Sequence, residues 1–158
     1  MDPYEDRAQE IQVLLVEDSP GDVRLTQQAL KDANLHINLQ VARDGIEAMS
    51  FLKQEGEYAK SPRPDLILLD LNLPRMDGRE VLLTIKTDPA LQRIPVIVLT
   101  SSAAEIDVYK SYDLKANSYI VKPVEFDRLQ EIVASIESFW FTVAVLSPAS
   151  VLAPAHAY

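Results

Sequence analysis

Residues 65–78 read DLILLDLNLPRMDG. An aliphatic run at 65–69 ends on a carboxylate, Asp70, and the chain then breaks at Pro74 and at Asp77-Gly78. Apolar residues at successive positions, rather than at every second one, mark a strand buried on both faces. Such a strand belongs in a parallel sheet covered by helices. It places Asp70 at the carboxyl end of a central strand.

The same pattern recurs on either side. Residues 11–16 (IQVLLV) and 95–99 (PVIVL) are short aliphatic runs, and 118–121 (SYIV) is a shorter one. Residues 36–41 (HINLQV) alternate more, as an edge strand does. Helix signals lie between the runs. Ser19-Pro20 reads as N-cap then first helical residue, where proline's missing N–H costs nothing. Val23, Thr26, Leu30 and Ala33 then form one face. Asp44-Gly-Ile-Glu47 and Asp77-Gly-Arg-Glu80 each pair an Asp cap with a Glu three residues on. Ile46, Met49 and Leu52 follow the first; Val81, Leu82 and Ile85 follow the second. A fourth helix is expected over 104–114. A fifth is expected from Glu125, with Phe126, Leu129, Ile132, Val133 and Ile136 on its buried stripe. Five strands alternating with five helices predict an α/β fold with right-handed crossovers and helices on both faces.

Bulk composition bounds the function. The chain has 158 residues, enough for one domain that buries roughly 70% of its unfolded surface. It has no cysteine, so disulfides and thiolate metal sites are excluded. Its opening residues are polar and acidic, unlike a signal peptide, and no apolar run reaches the ~18 residues of a membrane span. A net charge of −9 argues against a general nucleic-acid binder and suits a site that gathers cations. A cytoplasmic protein is expected. Residues 1–10 read as an extension, 11–146 as the domain, and 147–158 as a flexible Pro/Ala tail.

Open parallel sheets bind ligands at the carboxyl ends of their strands. Here those ends carry Glu17-Asp18, Asp70, Thr100-Ser101 and Lys122-Pro123. Each alone is an ordinary cap, turn or loop residue. Together they place chemistry at four strand carboxyl ends and at no amino end. Three converging carboxylates need a counter-charge, and a hard oxygen-liganded cation such as Mg²⁺ supplies it. Lys122 adds a second positive charge and Thr100 a hydroxyl donor. This is the equipment for phosphoryl transfer to a carboxylate. Asp70, alone on its strand, is the nucleophile; Glu17 and Asp18, adjacent in sequence, are the better metal ligands.

With LLVEDSP, LLDLNLPRMDG, VLTSS and YIVKP in place, the chain resembles the response-regulator receiver family over residues 11–141. That resemblance implies a flavodoxin-like (βα)5 sheet in the order 2-1-3-4-5. Carried over by position, it implies that Asp70 is the phosphoacceptor and that Glu17, Asp18 and the backbone carbonyl of Asn72 join it around Mg²⁺. Thr100 is then the switch hydroxyl, Lys122 the phosphate-binding lysine, and Tyr119 the aromatic residue coupled to Thr100. The Lys122-Pro123 bond is a cis candidate, a form that X–Pro bonds tolerate. The Glu-Asp pair replaces the commoner Asp-Asp, and Leu73 stands where many receivers have Met. The stretches LTQQALKD, RDGIEAMSFLKQEGEYA and SIESFWFTV are similar to the small receivers that partner bacterial phytochromes. This implies a light-regulated histidine kinase as phosphodonor, and output through the fourth helix, fifth strand and fifth helix, where Tyr109, Tyr112 and Tyr119 fall. The apolar segment 139–146, with Phe139, Trp140, Phe141 and Val143, predicts a homodimer interface.

Three other classes share parts of this pattern. An aspartyl phosphatase carries a second Asp two residues after its nucleophile, but Asn72 stands there. A nucleotide or flavin binder needs a Gly-rich phosphate loop, which Gly21, Gly45, Gly56 and Gly78 do not form. A pseudo-receiver, a binding module without phosphorylation, would not need the intact acidic and basic set. His36 and His156 lack partners at metal-ligand spacing.

Overall fold

The structure, a computed structural model, describes residues 10–32, 36–112, 114–125, 127–128 and 130–131. Ala33 and the stripe expected on the fifth helix (Phe126, Leu129, Ile132, Val133, Ile136) lie outside the described residues. So do Phe139, Trp140, Phe141 and Val143, residues 1–9 of the extension, and the Pro/Ala tail.

Strands and helices alternate along the chain: β1 Ile11–Val16, α1 Pro20–Asp32, β2 Ile37–Ala42, α2 Gly45–Leu52 and β3 Leu66–Asp70. There follow α3 Gly78–Thr87, β4 Val96–Thr100, α4 Ala103–Ser111 and β5 Ser118–Val121, with a 3₁₀ turn at Gly56–Tyr58 after α2. All four strand pairings are parallel, in the order β2-β1-β3-β4-β5. This is the flavodoxin-like order expected of the resemblance. Among the described residues there are four α-helices; Asp127, Arg128, Gln130 and Glu131, past β5, are helical as well.

β3 explains the layering. Ile67 and Leu69 pack with Leu14, Val16, Val96 and Val98 beneath α2 and α3. Leu66 and Leu68 face the other way, with Val13, Leu15, Ile97 and Leu99, and are joined by Ala29 and Leu30 of α1. All five residues of the strand are buried, each aliphatic one removing a side chain worth ~1.5–3 kcal/mol from water. β2 is half-buried along nearly its whole length, as its alternation predicted for an edge strand.

β1 and β5 coincide with their aliphatic runs, and β2 lies one residue later than its own; β3 and β4 also run one residue later than theirs suggest. Their pairing extends through the polar residue at the end, so Asp70 and Thr100 are the last residues of β3 and β4. α4 ends at Ser111, short of Leu114, which leaves the helix but still packs on the core. The Asp44 cap accepts from Glu47 N at 2.8 Å as expected, while Glu47 Oε2 accepts from Arg43 N. Asp77 caps differently: its Oδ1 accepts from Arg79 N at 2.8 Å, so the turn closes one residue earlier than a capping box with Glu80 would.

Two glycines set how the loop after β3 lies. A Cβ on Gly45 would stand 2.4 Å from Met76 O, and one on Gly78 would stand 2.5 Å from Leu71 Cα. The loop and the amino ends of α2 and α3 therefore sit in backbone contact, beside the carboxyl end of β3.

Candidate phosphoacceptor and metal site

The strand order reverses at β1: the chain passes outward to β2 and then returns across β1 to β3. The carboxyl ends of β1 and β3 thus adjoin at the switch point, where such sheets bind ligands. Glu17 follows β1 directly, its N–H donating to Ala42 O at 2.9 Å, and its side chain is buried. Asp18 is exposed beside it. Asp70 ends β3, also buried. One carboxylate oxygen from each of Glu17, Asp18 and Asp70 lies within 4.8 Å of the others.

Lys122 reaches into this group from the end of β5. Its backbone N–H donates to Thr100 O at 2.7 Å, fixing the stem. Its ammonium donates to Asp70 Oδ2 at 2.8 Å, Glu17 Oε1 at 2.9 Å and Asp22 Oδ2 at 2.9 Å. The other Asp70 oxygen accepts from Asn72 N at 2.9 Å, which orients the carboxylate. The Lys122-Pro123 peptide is cis. Glu17 Oε2 is buried with no hydrogen-bond partner, an atom whose desolvation nothing among the described residues offsets.

The electrostatics follow from this crowding. Burial, then the neighbouring Asp70, pushes the Glu17 carboxyl up to about 9. Burial alone would lower the Lys122 ammonium, but its bonds to Asp70, Glu17 and Asp22 outweigh that and hold it above the usual lysine range. The bond to Lys122 keeps Asp22 below the usual carboxylate range. Among the described residues the site is therefore acidic, with one ammonium for four neighbouring acidic side chains.

Thr100 is fully buried, and its hydroxyl donates to Glu105 Oε2 at 2.5 Å, with Ser102 O at 3.3 Å. Tyr119 is half-buried against the core under α2 and α3, with Lys110 Nζ 5.8 Å from its ring centroid. The structure thus brings Glu17, Asp18, Asp70 and Lys122 into one cluster and turns the Thr100 hydroxyl toward α4. Sequence reading missed Asp22 and Glu105. The available signal was position: each lies within the first turn of a helix that begins at the site edge of the sheet.

A parallel sheet with clustered carboxylates and a lysine at its switch point defines a receiver-type domain. The chain belongs to the response regulator receiver domain family, whose model matches residues 13–134. It is 53% identical to the response regulator Rcp1 of Synechocystis over 137 residues, covering 87% of this chain and 93% of that protein. The crystal structure of the phosphorylated cyanobacterial phytochrome response regulator RcpA superposes with TM-score 0.69 at 52% identity, covering 85% of this chain and 96% of that one. The Mn²⁺-bound form of Rcp1 superposes with TM-score 0.67 at 55% identity, covering 82% and 94%. No helix of the described residues is long and apolar enough to cross a membrane.

Proposed function

We propose that the chain is a single-domain response regulator that accepts a phosphoryl group on Asp70 from a phosphohistidine of a sensor histidine kinase. One observation carries this reading: Lys122 Nζ, Asp70 and Glu17 meet within hydrogen-bond distance at the sheet's switch point. Asp70 Oδ bonds to phosphorus as the phosphorus–nitrogen bond of the donor histidine breaks, and the imidazole leaves with the bonding pair. Lys122 meets the charge on the transferring oxygens. The backbone N–H of Asn72 fixes the carboxylate's orientation, and burial keeps competing water from its faces. Glu17, Asp18, Asp70 and the Asn72 carbonyl are the residues to hold Mg²⁺. The orphaned Glu17 Oε2 and the 4.8 Å cluster suit a divalent cation. When bound, it neutralises the carboxylates and polarises the transferring group.

Phosphorylation adds charge and strong acceptor oxygens at Asp70. Thr100 is the hydroxyl to answer it, with Tyr119 following, so that the face of α4, β5 and the helix beyond changes shape. Val108, Tyr112 and Val121 are large apolar residues exposed on α4, its carboxyl end and β5. The similarity to RcpA supports a phytochrome as the kinase. The apolar sequence around Phe139, Trp140, Phe141 and Val143 supports a homodimer. The setting is the cytoplasm, with protein partners and no nucleic acid.

The test is incorporation of phosphate, or of beryllofluoride, with and without Mg²⁺, beside an Asp70→Asn variant. Mg²⁺-dependent incorporation that the variant lacks supports the reading. No incorporation in either protein makes the chain a pseudo-receiver that acts as a binding module.

A further inference from the structure

The Lys122 ammonium has three hydrogens, and three carboxylates take them. Two, Glu17 and Asp70, belong to the acidic trio described above. The third, Asp22 Oδ2 at 2.9 Å, comes from the first turn of α1 and stands outside that trio. Its side chain is 36% exposed, against 1% for Glu17 and 3% for Asp70. An acid in a helix's first turn is favourable on its own account. The bond to a lysine a hundred positions later in the chain is a separate fact.

A cation held by Glu17, Asp18 and Asp70 draws on the same carboxylates that Lys122 uses, and it repels the ammonium. An incoming phosphoryl group claims Asp70 as well. Among the described residues, Asp22 is the one partner of Lys122 that neither demand touches. A lysine stem is flexible and carries a large rotamer entropy, so an ammonium stripped of its partners swings to water. We infer that Asp22 is a positioning residue for Lys122, holding the ammonium beside Asp70 while the other carboxylates serve a cation and a phosphoryl group. The inference rests on the proposed function only in taking Asp70 as the acceptor. The partial exposure of Asp22 keeps its hold loose enough for Lys122 to turn toward phosphoryl oxygens.

Two readouts separate this inference from the function it rests on. The first follows Lys122 itself, by reductive methylation of the whole protein at saturating Mg²⁺, with mass spectrometry of the peptide that carries it. Lys122 in Asp22→Asn is modified faster, by up to about five-fold, the scale of a partly exposed ion pair. Asp22→Glu restores most of the protection, and the other lysines are unchanged. The second is the initial rate of phosphorylation by acetyl phosphate with Mg²⁺. Asp22→Asn slows it by about the same factor, and adding Asp22→Asn to Lys122→Gln slows it no further. An unchanged Lys122 modification rate overturns the inference, whatever the phosphorylation result. An equal further loss in the Lys122→Gln background also overturns it, since Asp22 then acts through the cation. Faster Lys122 labelling in Asp22→Asn, with no phosphate taken up by the wild-type protein, keeps Asp22 as the anchor and overturns the phosphoacceptor reading instead.

Discussion

Arg75 Nη1 donates to Asp44 Oδ2 at 3.2 Å, tying the loop after β3 to the carboxylate that caps α2. Arg75 holds a φ of 68°, in the left-handed region that suits glycine. A non-glycine residue there costs ~1–2 kcal/mol. Its side chain is 64% exposed, so the ion pair returns at most ~1 kcal/mol. Arg75→Ala keeps the backbone cost and loses the pair, so it is expected to destabilise by up to ~1 kcal/mol. Arg75→Gly loses the same pair but relieves the backbone, and is expected to lie about 1 kcal/mol above the alanine variant. Urea unfolding of the two variants measures the difference. Equal midpoints would mean that the loop's conformation carries no strain.

Gly78 makes a stricter demand. A methyl group there meets Leu71 Cα at 2.5 Å and Asp70 O at 2.6 Å, both backbone atoms that cannot swing away. Gly78→Ala is expected to lose ~2–3 kcal/mol of stability, as overpacked sites do. Because Asp70 itself must shift, Mg²⁺ affinity should fall with it. Gly21→Ala is the control: its nearest atom is Ser19 Oγ at 3.9 Å, and its unfolding midpoint should be unchanged or slightly raised. A Gly78→Ala protein as stable as wild type would mean the loop is free to retreat from α3.

The fold was legible because β1, β3 and β4 are apolar at nearly every position, and only a two-sided core buries such strands. Asp70, Glu17, Asp18 and Lys122 were legible because each ends or follows a strand, and strand ends share an edge. Asp22 and Glu105 were not. Both act through side chains that reach back from a helix to a strand end, and an acid in a helix's first turn has a sufficient local reason to be there. Where α4 stops was equally hidden, because Leu114 continues the apolar pattern while the chain has already left the helix. The Asp77 cap resembles that of Asp44 in sequence. Which N–H it takes depends on the backbone angle at the cap.

The acidic cluster sets a pH dependence with a definite sign. Burial and Asp70 raise the Glu17 carboxyl from 4.5 to about 9. Across that window the folded protein holds a proton that the unfolded chain has released. The stabilisation from this protonated form is complete below 4.5 and is lost as pH rises toward 9. The urea midpoint of the metal-free protein should therefore fall over that interval. Asp22, lowered by Lys122, contributes oppositely, with stability present above 3.8 and lost below it in acid. Under the proposed function Mg²⁺ is held by an ionised Glu17, so its affinity should rise over the interval in which metal-free stability falls. Saturating Mg²⁺ should flatten the profile, and Asp70→Asn, which removes the neighbouring charge, should move the fall to lower pH. A metal-free midpoint constant from 4.5 to 9 would mean that Glu17 is ionised throughout.

The Thr100 hydroxyl is engaged before any phosphoryl group arrives. It donates to Glu105 Oε2 at 2.5 Å, on the first turn of α4. Under the proposed function that bond must break for Thr100 to meet an oxygen on Asp70. A hydrogen bond to a charged group is worth ~1.5–3 kcal/mol. Glu105→Ala removes the competing acceptor, so the beryllofluoride complex should form at a concentration lower by about ten-fold. Glu105→Gln, which keeps a neutral acceptor, should fall between the two. The gain should vanish when Thr100→Val is added, because no hydroxyl is then left to release. If Glu105→Ala gains the same advantage in the Thr100→Val background, the effect comes from removing a negative charge near Asp70, and the hydroxyl's release plays no part in it.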